Sequence, residues 1–193
     1  WPEIYTNMPI VDENRPHPYG DTPSPKRFGT VSALDPELFS RVDDFAAELI
    51  EGRRSGRYSP LDVARWLDGF AEAAQRHLAE MEALAPERSN PAVQRWAVDV
   101  AIQAGLGRFF AQKLRAGVAF ALSRQSGDVA LLRQAIRAYR AARTAWAAVA
   151  ERAGVYRRDL TFGREPWLRG HWADRLTAIA QDLADMEAVW AKA

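Results

Sequence analysis

Apolar residues recur at three- and four-residue intervals over most of the chain from residue 34 onward, a period that predicts α-helices. Leu38, Val42, Phe45 and Leu49 form the first stripe, opened by Asp35 followed by Pro36 and closed by Gly52. The second carries Val63, Leu67, Phe70, Ala74, His77 or Leu78, Met81 and Ala85, between a Ser59 and Pro60 start signal and a stop at Pro86. Asn90 and Pro91 open the third and longest helix, expected to run to about Arg124. Its apolar residues lie on two sides. Val93, Trp96, Val100, Gly107, Phe110, Leu114 and Gly117 share one, while Ile102, Leu106, Phe109, Ala116 and Phe120 share the other. A helix apolar on two sides belongs in the middle of a bundle. Gly105, Gly107 and Gly117 each cost roughly 1 kcal/mol of helix propensity relative to Ala, and they are expected to permit close helix approach. After Gly127 and Asp128 comes the stripe Val129, Leu132, Ile136, Tyr139, Arg143, Trp146 and Ala150, with Gly154 as its terminator. Arg143 in that stripe is expected to snorkel or to pair with a carboxylate. A loop over residues 155–169 leads to a last helix bearing Trp172, Leu176, Ile179, Leu183, Met186 and Trp190. The expected fold is all-α. It is an up-and-down helical bundle of four long helices plus one short N-terminal helix, over residues 34–193.

Residues 1–33 read differently. They are proline-rich, lack a helical period and predict an extended arm or linker. Trp1, Ile4, Tyr5, Met8, Ile10 and Val11 are too apolar for a solvated linker, so they are expected to dock on the bundle or on a neighbouring domain. A start at Trp1 rather than Met fits a processed protein or a segment of a longer one.

Composition narrows the function. The 193 residues are 48 % hydrophobic and 26 % charged, a globular balance whose length suits one domain with its own core. There is no Cys, which excludes disulfides, thiolate zinc sites, iron–sulfur clusters and cysteine nucleophiles. No run approaches the roughly 18 uncharged apolar residues of a membrane span. No helix joins a Lys-rich face to a large apolar one. No membrane partner is expected. A net charge of +1 and the lack of a recognition helix after a short turn also argue against a nucleic-acid partner. Arg outnumbers Lys by 23 to 3, a bias typical of a GC-rich bacterial genome. The charge is unevenly spread. Residues 1–100 hold 11 basic and 17 acidic side chains, residues 101–170 hold 13 and 4, and residues 171–193 hold 2 and 4. Basic central helices can pair with acidic neighbours at modest energy each. The alternative is an exposed basic face for an anionic ligand.

Catalytic signatures are missing. None of His17, His77 and His171 follows a Glu by three residues, so the Glu-x-x-His pairs of di-iron bundles are absent. His77 is expected at a bundle edge, making one hydrogen bond. No phosphate-binding glycine loop, nucleophile elbow or glycosidase carboxylate pair can be picked out. No catalytic residue, metal or cofactor is expected in this chain. The densest unusual stretch, residues 154–176, sets Tyr156, Phe162, Trp167 and Trp172 among Arg157, Arg158, Arg164, Arg169, His171 and Arg175. Aromatic faces stack on sugars or cations, and Arg forks match carboxylate, sulfate or phosphate. Tyr156, Arg158, Phe162, Trp167, Arg169, His171 and Arg175 are therefore the candidate ligand-binding set, for an acidic saccharide, a nucleotide or a protein surface. In the competing reading Phe162 and Trp167 plug the bundle end and Trp172 opens the core stripe.

The runs RRSGRYSPLDVARWLDGFAEAA (residues 53–74) and LTFGREPWLRGHWADRLTAI (residues 160–179) carry a resemblance. Over residues 32–193 the chain resembles the all-α C-terminal accessory domains that follow the catalytic barrel in bacterial glycoside hydrolases, such as α-glucuronidases and hexosaminidase-like enzymes. The resemblance implies a non-catalytic domain that packs against a catalytic domain of the same parent protein and contacts an acidic polysaccharide in its cleft. It implies a periplasmic or secreted location, and it places the catalytic acid and base outside this chain. The alternative is a free-standing helical module that binds a protein or an anionic ligand.

Overall fold

The structure, a computed structural model, describes residues 8–11, 27–31, 35–84, 90–161 and 169–193. It is an all-α bundle of α1 (Val42–Glu51), α2 (Pro60–Leu84), α3 (Pro91–Ser126), α4 (Val129–Arg152) and α5 (Leu176–Trp190). The one extended feature among the described residues is a two-residue antiparallel ladder of β1 (Leu160–Thr161) and β2 (Arg169–Gly170), with an isolated bridge between Phe39 and Tyr58. No helix among the described residues is long and apolar enough to cross a membrane.

Local chemistry sets the helix ends. The Asn90 side chain accepts from Ala92 N–H at 2.9 Å with Pro91 at the first helical position, and Asp128 accepts from Ala130 N–H at 2.7 Å. Ser59 and Asp62 form a reciprocal box: Ser59 Oγ accepts from Asp62 N–H at 3.1 Å, and the Asp62 carboxylate accepts from Ser59 N–H at 2.9 Å. Those hydrogen bonds hold the Asp62 carboxyl below its ordinary range. Gly52 and Gly127 close α1 and α3 in the left-handed conformation, with φ of 67° and 75°.

Two boundaries differ from the sequence reading. Asp35 does cap, accepting from Glu37 and Leu38 N–H groups at 3.1 Å, but it caps a single turn. Tyr58 then donates to Leu38 O and accepts from Ser40 N–H, which draws the main chain out of helical geometry and delays α1 to Val42. Leu38 is left exposed. Gly154 does not terminate α4 in a left-handed cap. The helix tightens instead into a 3-10 turn over Ala153–Val155.

The central position expected for the longest helix holds. α3 packs on α1, α2 and α4, and α4 packs on α5. The glycines expected at close approaches sit at them. Gly105 faces Val149 of α4, and a Cβ on Gly107 would lie 3.2 Å from the Leu67 carbonyl of α2. At Gly117 the closest neighbour comes from the N-terminal arm: a Cβ there would lie 3.1 Å from the Phe28 ring. Arg143 is exposed, because Ala142 takes the core position in its place. Part of the charge asymmetry is absorbed between helices, by Arg115 with Asp68 at 2.5 Å and Arg140 with Glu187 at 2.6 Å.

The arm docks on the bundle through its described residues. Ile10 and Phe28 are buried in the main core, and Met8, Val11 and Val31 pack against it. A 3-10 turn over Phe28–Thr30 lies under α1, tied by the Arg27 and Asp43 ion pair. Trp1, Ile4 and Tyr5 fall outside the described residues.

Candidate functional site

The described members of the candidate ligand-binding set lie at the end of the bundle where α4 runs into α5. His171 is buried, and both ring nitrogens are engaged. Nδ1 accepts from Ala173 N–H at 3.1 Å, so Nε2 carries the proton and donates to Ala153 O at 2.9 Å. The Asp174 carboxylate accepts from His171 N–H at 2.7 Å, which completes a capping box over the 3-10 turn Trp172–Arg175. His171 thus welds the end of α4 to the start of α5. Arg158 pairs with Asp174 at 3.0 Å. The Tyr156 hydroxyl donates to Asp99 of α3, a bond that raises its pKa above the ordinary phenol value. The Tyr156 ring lies tilted against Trp172, centroids 6.0 Å apart. Trp172 packs against the core, and its carbonyl accepts from Trp146 Nε1–H at 2.7 Å. Arg175 lies in the same 3-10 turn. Arg169 pairs with Thr161 through the backbone. Phe162, Arg164 and Trp167 fall outside the described residues. The structure thus brings Tyr156, Arg158 and His171 together, but as partners of Asp99, Asp174 and backbone groups. Replacing His171 with Ala is expected to lower stability by about 1–2 kcal/mol, read as a shift in the urea midpoint, with helix content preserved.

His77, expected at an edge with one hydrogen bond, is exposed and meets Glu80 at 3.0 Å. Among the described residues no group of three His, Asp or Glu side chains is placed to hold a metal ion.

The sequence reading missed the most unusual chemistry in the fold. Lys113 of α3, Tyr139 of α4 and Asp182 of α5 are all buried and converge beneath residues 8–11 of the arm. Lys113 Nζ donates to Met8 O at 2.7 Å and lies 4.8 Å from the centre of the Phe28 ring. Asp182 accepts from Ile10 N–H at 2.9 Å on each oxygen and from Val11 N–H at 3.3 Å. The Tyr139 hydroxyl is its third donor. Burial pushes Lys113 down to about 7, against the attraction of Asp182. Burial likewise raises Asp182, opposed by Lys113, by the two N–H groups and by Tyr139. Tyr139 is raised well above a free phenol, first by burial and then by the Asp182 charge. Perturbed groups of this kind are proton-transfer candidates where substrate reaches them. Here the arm's main chain occupies their hydrogen-bonding positions. The available signal was placement: Lys113 falls four residues after Phe109 on the doubly apolar helix, and Asp182 sits between Ile179 and Met186 on the last stripe.

Two surface grooves lie elsewhere. The larger, about 580 Å³, runs between α2 and α3 over Gly107 and is walled by Leu67, Phe70, Ala74, Leu106 and Phe110. Phe70 belongs to the stripe expected to be buried, yet it is 71 % exposed. α2 instead buries Pro60, Ala64, Ala71 and Leu78. Its apolar face is wider than its contact with α3, and among the described residues no other helix makes comparable contact with it. The smaller groove, about 360 Å³, lies between Met81, Val93, Val98 and Arg152. The sites of Lys113, Tyr139 and Asp182 line neither groove.

No protein-family model matches the chain, and no curated protein or solved structure shows significant similarity to it.

Proposed function

We propose that the chain is a non-catalytic helical accessory module of a carbohydrate-active enzyme, and that it packs against a catalytic domain through the groove between α2 and α3. The observation that carries the reading is Phe70. A large aromatic side chain, 71 % exposed beside Leu67, Leu106 and Phe110, extends a half-buried helical stripe into solvent. Apolar grooves of this kind mark protein contact surfaces. The resemblance of residues 53–74 and 160–179 to accessory domains of glycoside hydrolases supplies the class of partner. The intramolecular partners of His171, Arg158 and Tyr156 favour packing over glycan contact where α4 runs into α5. The buried state of Lys113 and Asp182 favours a structural role over a catalytic one for the chain's most perturbed groups.

A photo-crosslinking residue substituted at Phe70 in the producing cell tests this reading. The expected product joins residue 70 to a catalytic domain of glycoside-hydrolase type, in the same polypeptide or in a separate one. Crosslinks only to a second copy of the chain, or to proteins without a carbohydrate-active domain, would overturn it. The same residue moved to the exposed position Arg143 of α4 serves as the control.

A further inference from the structure

Residues 8–11 are held the way a protein holds a bound peptide. Every hydrogen bond that the bundle makes to them goes to their main chain: Lys113 Nζ–H to Met8 O, and the Ile10 and Val11 N–H groups to Asp182. Pro9 has no N–H to satisfy, and its carbonyl accepts from Phe28 N–H at 2.8 Å. The one deeply inserted side chain is Ile10, which is 1 % exposed. The receiving groups come from three helices, α3, α4 and α5, and converge on one short non-helical segment. A fixed carboxylate for two consecutive N–H groups, an ammonium for a carbonyl and an apolar hole for one aliphatic side chain together make a recognition slot.

We propose that the bundle contains a peptide-binding slot centred on Lys113, Tyr139 and Asp182. Its ligand class is a short non-helical peptide with two consecutive N–H groups and a branched aliphatic side chain. Residues 8–11 fill it in cis. This slot is independent of the role assigned to Phe70, which lines the separate groove between α2 and α3. Because the polar contacts are to main chain, affinity depends on the N–H pair and on the residue at position 10, with a smaller part from the half-buried side chains of Met8 and Val11.

The test keeps the whole chain and opens one bond. A specific protease site replaces residues 16–21, and the purified protein is cleaved. A labelled synthetic peptide spanning residues 5–14 is then added in excess and followed by fluorescence anisotropy. The proposal expects saturable exchange of the peptide for the cleaved segment. It expects binding roughly tenfold or more weaker for a peptide N-methylated at Ile10 and Val11, because charge-assisted hydrogen bonds are lost. It expects a comparable loss for an Ile10→Asp peptide. The native and altered peptides are compared on one and the same cleaved protein, so differences between them do not reflect folding of the bundle. Three results would overturn the proposal: equal binding of the native and N-methylated peptides, departure of the cleaved segment with no rebinding, or exchange only after the bundle itself unfolds.

Discussion

Asp182→Ala is expected to lower the unfolding free energy by about 3–5 kcal/mol, the range for removing one partner of a buried charge pair. Several groups lose their partner together. The Ile10 and Val11 N–H groups lose their acceptor, Lys113 loses its buried counter-charge, and the Tyr139 hydroxyl loses the carboxylate it bonds. A buried donor left unsatisfied costs about 1–3 kcal/mol by itself. The double variant Lys113→Met with Asp182→Leu separates this arrangement from a simple ion pair. An isolated buried pair replaced by apolar residues of similar volume regains most or all of its stability. Here the double variant is expected to stay well below the parent protein, because the two main-chain donors of the arm remain orphaned. Urea unfolding of the two single variants and the double variant reads the difference. Full recovery in the double variant would reduce the cluster to an ion pair that the arm merely covers.

Stability is expected to rise with pH between about 7 and 10. Burial pushes Lys113 down to about 7 in the folded state, while the unfolded chain keeps the ordinary value of 10.5. Between those values the unfolded chain binds a proton that the folded chain does not, so raising the pH favours folding, by up to about 1.4 kcal/mol for each pH unit crossed. Tyr139 closes the window from above. Its raised pKa means that the unfolded chain ionises first, and stability falls as pH climbs past about 10. Asp182 acts on the acid side. With its folded pKa raised above 3.8, the folded chain holds the proton longer, and this group's contribution grows as pH falls through the folded value. Thermal unfolding across pH 7 to 10 should therefore show a rising limb, and Lys113→Met should flatten it. A limb that persists in Lys113→Met would assign it to other groups.

Much of the fold was legible because helix signals are local. Ser59 with Pro60, Asn90 with Pro91, and Asp128 announced α2, α3 and α4, and each makes the cap that its residue type predicts. The first helix was misplaced because its start depends on a bridge to Tyr58, nineteen residues beyond Phe39, which no local pattern encodes. Phe70 misled because periodicity reports which residues are apolar, while burial depends on what covers them. Among the described residues, the part of α2 that is buried is the edge carrying Ala64, Ala71 and Leu78. The aromatic and Arg concentration at residues 154–176 drew attention by density. Of that set, the described side chains of Tyr156, Arg158 and His171 bond within the fold. Lys113 and Asp182 were the stronger signal, as isolated ionisable residues on apolar stripes. Their meaning depends on residues 8–11, more than a hundred positions away from Lys113, and sequence periodicity carries no such pairing.

The buried cluster fixes the arm's main chain. Residue-resolved amide hydrogen exchange at Ile10 and Val11 in the intact protein tests it most directly. Protection is expected to be at least roughly a hundredfold above a free peptide of the same sequence, and to be lost at both positions in Asp182→Asn while α3 stays protected around Leu114. Exchange of Ile10 and Val11 at the free-peptide rate in the parent protein, with α3 protected, would contradict it.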